Sequence, residues 1–79
     1  MARIDWDAVR KAEPSVLSAH ERAGIPLASS QIAVLCRLNL TTALLACRDL
    51  RRKGNLVFAF GHFPTAELRY QVAKATHRR

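Results

Sequence analysis

Residues 39–55 read NLTTALLACRDLRRKGN. The groups in this stretch that can do chemistry are guanidiniums, an ammonium, threonine hydroxyls and an asparagine amide. Arg48 and Arg52 stand one helical turn apart; Thr41 and Thr42 open the stretch, and Arg51 and Lys53 close it. Cationic side chains at this density neutralise phosphates, while Arg, Asn and Thr hydrogen-bond to base edges. Arg37 lies just upstream, and His62 and Arg69 lie downstream where a loop and a strand could bring them to the same polyanion. Leu45 falls among the arginines on the side expected to face water, with Leu44 on its flank. An apolar group there suits a thymine methyl or a protein partner equally well.

Other chemistry fails on inventory. Cys36 and Cys47 form no CxxC pair, and His20, His62 and His77 are scattered, so no metal-ligand spacing is present. There is no phosphate loop and no GxSxG, and Asp5 and Asp7 are best read as helix-start residues rather than an acid–base pair. The expectation is therefore a protein that is not an enzyme and that takes neither metal nor cofactor. Both cysteines fall on inward helical faces and are expected to be buried, free thiols.

The charge balance points the same way as the arginines. The net charge is +7, and it is uneven. Residues 1–40 hold five basic and four acidic side chains, and residues 41–79 hold eight and two. A basic half, with a pI near 10.8, suggests a polyanionic partner. A chain of 79 residues makes a single domain with a modest core. It has no apolar run long enough to span a membrane. The acidic start MARIDWDAVRK argues against an export signal, and two cysteines do not make a disulfide framework. A cytoplasmic setting is expected, nucleoid-associated if the chain binds DNA.

These side chains need elements to hold them. The periodicity predicts a short helix over IDWDAVRKAE, capped by Asp5 and anchored by Ile4, Trp6 and Val9. Pro14 is expected to break it and start a second helical run that ends at Gly24. Residues 24–30 read as a loop, with Ser29 or Ser30 capping a third helix in which Ile32, Leu35 and Cys36 recur at helical spacing. Ala43, Ala46, Cys47 and Leu50 then mark the buried face of the NLTTALLACRDLRRKGN helix, which Gly54 stops. Beyond Gly54 the period changes. LVFAF is β-rich, and Leu68, Tyr70 and Val72 alternate with Glu67, Arg69 and Gln71, so residues 56–72 are expected to form a two-stranded hairpin. Trp6 and the three phenylalanines, Phe58, Phe60 and Phe63, are assigned to the core, and residues 74–79 to a basic tail.

With these elements in order, the stretch SSQIAVLCRLNLTTALLACRDLRRKGNLV resembles the winged helix-turn-helix family, over about residues 29–72. Ile32 and Ala33 take the apolar places of the first helix, Leu38 the buried leucine of the turn, and Asn39 the polar cap of the second helix. Ala43, Cys47 and Leu50 take that helix's core positions, and Lys53-Gly54 its end. The pattern departs from the family at Arg37, where glycine is common, and at Leu45 on the outer face. The resemblance implies a mainly α fold with a small β-hairpin: an N-terminal helical region over 1–24, a helix-turn-helix over 29–54 and a wing over 56–72. It also implies a second helix that enters the DNA major groove.

The reading that follows is a small sequence-specific DNA-binding transcriptional regulator, similar to those of phages and other mobile elements. It would act on double-stranded DNA as a homodimer joined through the N-terminal helical region. Arg37, Arg48, Arg51, Arg52, Lys53 and Arg69 would neutralise phosphates, with His62 at the wing tip. Asn39, Thr41, Thr42 and Arg48 would approach bases, and Leu45 a thymine methyl. The alternative is a protein-interaction module on the same scaffold, with Leu44 and Leu45 at the centre of a basic-rimmed contact.

Overall fold

The computed structural model describes residues 3–61 and 67–73. Its elements are α1 (Trp6–Ala23), β1 (Leu27–Ala28), α2 (Ser29–Cys36), α3 (Leu40–Arg52), β2 (Leu56–Ala59) and β3 (Arg69–Val72). The strands form one antiparallel sheet in the order β1-β3-β2. Two predicted loci, His62 with Phe63 and the tail 74–79, lie outside the described residues.

The N-terminal region is one helix, not the two expected on either side of Pro14. Val9, Ala12, Glu13, Val16, Ala19 and His20 make a continuous buried face that crosses the proline. Pro14 withholds only the amide that would have bonded the Arg10 carbonyl, and both residues lie on the exposed side of the helix. Burying several side chains at about 1.5–3 kcal/mol each outweighs a helical proline's cost of about 3 kcal/mol. Asp5 caps the helix as expected, its Oδ1 accepting from the Ala8 amide at 3.1 Å. Gly24, in the left-handed region at φ 65°, ends it. Of the three predicted anchors only Val9 is buried; Ile4 and Trp6 sit at the first turn, nearly half exposed, against the side of α3 rather than beneath it.

The segment expected as a loop carries β1, which pairs Leu27 with Tyr70 and Ala28 with Arg69. The predicted two-stranded wing is therefore part of a three-stranded sheet. A strand of this length is too short to show a period, so only its pairing reveals it. Neither Ser29 nor Ser30 caps α2. The N-cap position is Ala28, whose amide donates to Gln31 Oε1 at 2.9 Å, while Ser30 Oγ donates to Glu67 Oε2 at 2.8 Å.

Helix α2 ends at Arg37, which is left-handed at φ 56° and ψ 47°. Its amide donates to the Val34 carbonyl (3.3 Å), and the Leu38 amide to the Ala33 carbonyl (2.9 Å). Helix α3 ends by the same hydrogen-bond pattern around Gly54, at φ 89°, with Gly54 donating to Arg51 (3.0 Å) and Asn55 to Leu50 (2.9 Å). Between the two helices the chain bends by 114° over residues 37–39. Asn39 caps α3, its Oδ1 accepting from the Thr42 amide at 2.7 Å.

The core lies where α1 and α2 cross α3 and the sheet closes the end. Val16, Ile32, Ala43, Ala46 and Cys47 are fully shielded, and Leu56 and Tyr70 join them from β2 and β3. Cys47 is buried as expected, but Cys36 is only half-buried, at the last turn of α2, where its Sγ lies 3.7 Å from the Ser15 carbonyl; both thiols are free. Phe58 packs on Tyr70 with ring centroids 5.3 Å apart, whereas Phe60, assigned to the core from sequence, is 91% exposed. It follows Ala59, the last β2 residue paired with β3, where no described residue covers it. Leu68, expected inside by alternation, precedes β3 and is likewise exposed. Among the described residues no single helix is long and apolar enough to cross a membrane.

Candidate functional site

Helix α3 divides into two faces. Ala43, Ala46, Cys47 and Leu50 bury one against α1, α2 and β2. Leu40, Thr41, Leu44, Arg48, Arg51 and Arg52 are exposed on the other. The turn that bends the chain sets Arg37 and Asn39 beside the start of this outer face, and the β2–β3 hairpin follows its end. The structure thus gathers Arg37, Asn39, Thr41, Arg48, Arg51 and Arg52 around one helix.

The cations there are not equivalent. Arg48 is exposed, and among the described residues no carboxylate pairs with it. The Arg51 guanidinium lies 4.0 Å from the centroid of the Phe58 ring, a cation–π contact that joins α3 to β2. Arg52 Nη2 donates to Asp49 Oδ1 at 2.7 Å while the rest of its side chain stays in solvent. Lys53 Nζ lies 2.7 Å from Glu13 Oε1 and 3.4 Å from Asp49 Oδ2, which ties the end of α3 to the middle of α1. Arg69 is half-buried on β3, where its Nη1 donates to Gln31 Oε1 at 3.3 Å. Thr42 is half-buried, and Asn39 spends its amide oxygen on the cap.

The Glu13–Asp49–Lys53 cluster holds its protons unevenly. Burial pushes the Glu13 carboxyl above its ordinary value, helped by the neighbouring Asp49. Hydrogen bonding from Glu13, together with Arg52 and Lys53, holds Asp49 down at about 2. Lys53 is raised by its contact with Glu13. This lysine ammonium is held between the Glu13 and Asp49 carboxyl groups and is less available to an external anion than Arg48.

Leu45 is not on the open face where the sequence placed it. It is half-buried and packs against the core, with Ile4 and Trp6 beside it. The leucines that do meet solvent are Leu40 and Leu44, 55% and 41% exposed. Their i, i+4 spacing on α3 was the available signal for Leu40, which the sequence reading passed over. No local signal marks Trp6 and Ile4 as neighbours of Arg48 and Arg52, because that contact joins the two ends of a long sequence separation.

Deeper in, His20 Nε2 lies 3.7 Å from Cys47 Sγ. Burial lowers the imidazole and pushes the thiol up to about 11, so at neutral pH both are uncharged and Cys47 supplies no thiolate. Among the described residues no group of three or more His, Cys, Asp or Glu could hold a metal ion. No family model matches the sequence, no curated protein is significantly similar to it, and no solved structure matches its fold.

Proposed function

We propose that this chain is a winged helix-turn-helix protein that binds double-stranded DNA through the outer face of α3. The observation that carries this reading is the setting of that face. A helix is exposed along its length, entered through a bend of 114°, flanked by an antiparallel hairpin and lined by Arg37, Thr41, Arg48, Arg51 and Arg52. A bend of about 90–120° through a short turn is how helix-turn-helix units present a helix to the major groove. Arg48 is the chief candidate for a base or phosphate contact, Arg37 and Arg52 for phosphates, and Thr41 for a base edge. Lys53 and Arg69 contribute through the fold and the local field. The functional unit would be a homodimer, because one such helix reads only a half-site, and its action a transcriptional regulator's.

A specific observation favours a second reading. Leu40 and Leu44, one turn apart on α3, form an exposed apolar stripe, and such a stripe suits a protein partner. A salt titration of binding to random and selected duplex DNA separates the two. The DNA reading expects log affinity to fall linearly with log salt, with one sequence bound about a thousandfold or more tighter than random duplex. Weak binding without sequence preference, together with loss of a protein partner on Leu44→Ala, would instead support the interaction module.

A further inference from the structure

Beside the outer face of α3 lies a cleft of about 340 Å³, lined by Ile4, Trp6, Leu45, Arg48, Asp49 and Arg52. Its size falls within the ~300–1,000 Å³ usual for small-molecule sites. Its make-up is two-sided. Ile4, Trp6 and Leu45 supply an apolar wall, and Ile4 and Trp6 keep 45% and 47% of their surface in solvent. Arg48 and Arg52 supply guanidiniums at the rim. The one acid, Asp49, is already engaged by Arg52 at 2.7 Å and Lys53 at 3.4 Å, so it does not cancel the Arg48 charge.

We propose that this cleft binds a small amphipathic anion, an aliphatic or aromatic carboxylate whose tail lies on Trp6, Ile4 and Leu45 and whose head is held by Arg48 with Arg52. A neutral apolar ligand would leave the guanidiniums unused, and a phosphate without an apolar body would leave the wall wet. The carboxylate satisfies both, since a guanidinium–carboxylate contact is charge-assisted and geometrically specific. Arg48 and Arg52 also belong to the proposed DNA-binding face. A bound carboxylate would therefore compete with DNA for them, making the cleft an effector site. That competition rests on the DNA reading above; binding of the anion does not.

Trp6 is the chain's one tryptophan, so its emission reports the cleft directly. The full chain is titrated with octanoate, with octanamide as its neutral counterpart, in the absence of DNA. Octanoate should shift Trp6 emission to the blue along a saturable curve, and octanamide should bind roughly tenfold more weakly, the scale of one charge-assisted contact. Arg48→Ala, at an exposed position, should bring octanoate down to the amide's affinity. Equal binding of acid and amide, no effect of Arg48→Ala, or no saturable change in emission would overturn the site. Emission that shifts with protein concentration and not with octanoate would assign the cleft to a second copy of the chain, overturning it too. In a second arm, octanoate at saturation should displace duplex DNA. If octanoate binds while duplex affinity stays the same, the cleft stands and the competition falls.

Discussion

The two faces of α3 belong to one helix and obey opposite rules. On the inner face Ala43, Ala46 and Cys47 are completely buried and Leu50 nearly so, each defined by contact with α1, α2 or β2. On the outer face charge is abundant but unevenly available. Lys53 is bound to the Glu13 carboxyl, Arg52 to Asp49 and Arg51 to an aromatic ring, and of the cations on α3 itself Arg48 alone stands without such a partner among the described residues. Formal charge therefore overstates what the outer face can offer a polyanion, whereas apolar spacing describes the inner face well. A residue on the inner face is fixed by shape, and one on the outer face by which neighbours have already claimed it.

The largest expected effect comes from breaking the inner face. Cys47→Asp puts a carboxylate where the side chain has no exposure and where its nearest titratable neighbour is the buried His20 imidazole, itself disfavoured as a cation by burial, and should leave the domain unfolded at room temperature. A cooperative thermal transition in the variant, seen by circular dichroism, would contradict the packing described. Cys47→Ser, nearly isosteric, should fold with a loss of a few kcal/mol at most.

A subtler probe of the same face is its histidine. His20 is 2% exposed and its pKa is lowered by burial. The unfolded chain, with an ordinary imidazole near 6.5, binds the proton more readily than the folded one. His20 therefore adds stability above pH 6.5 that is lost as pH falls through 6.5 toward the depressed folded value. Between pH 7.5 and 5.5 the folded chain loses stability through this histidine. Glu13, whose pKa is raised by burial, acts in the opposite sense at lower pH, so the comparison should be made against His20→Gln. Urea unfolding at the two pH values should show the wild type losing more than the variant; equal losses would mean that His20 is reached by solvent.

What could be read from the sequence follows the same division. The i, i+3, i+4, i+7 pattern of Ala43, Ala46, Cys47 and Leu50 located α3 and its inner face, and Asn39 and Gly54 located its ends. These signals are local, because a helix repeats within a few residues. The features that were missed depend on contacts between distant segments. Pro14 stays helical because a buried face continues across it. β1 exists because β3 pairs with it. Leu45 is covered because the start of α1 returns to α3. The pairing of Lys53 with Glu13 is equally long-range, so the sequence could show the candidate cations but not which of them were already committed.

That difference among the cations can be sharpened on duplex DNA. Arg48→Ala should weaken binding several-fold and reduce the salt slope by about one unit, as loss of a phosphate contact does. Lys53→Ala removes the same formal charge, but one already bound to Glu13, and should alter the slope much less while lowering stability. Equal effects of the two variants would show that net charge alone governs binding and that the internal pairing is irrelevant to it.

The smallest effect is expected at Arg37, where fold and function pull apart. Arg37 and Gly54 end successive helices by the same hydrogen-bond pattern, yet one carries a side chain at φ 56° and the other does not. A left-handed conformation costs an ordinary residue about 1–2 kcal/mol. Glycine would remove that strain but lose more backbone freedom on folding, by roughly 0.5–1 kcal/mol. The net expectation for Arg37→Gly is a gain of about 0.5 kcal/mol, measurable as a higher urea midpoint with unchanged m-value. If the arginine is kept there for its charge, the same variant should bind duplex DNA more weakly and with a shallower salt slope, and Arg37→Lys should restore the binding without the added stability. A glycine variant that is more stable and binds DNA just as well would remove Arg37 from the interface, leaving Arg48 as the principal cation of the outer face.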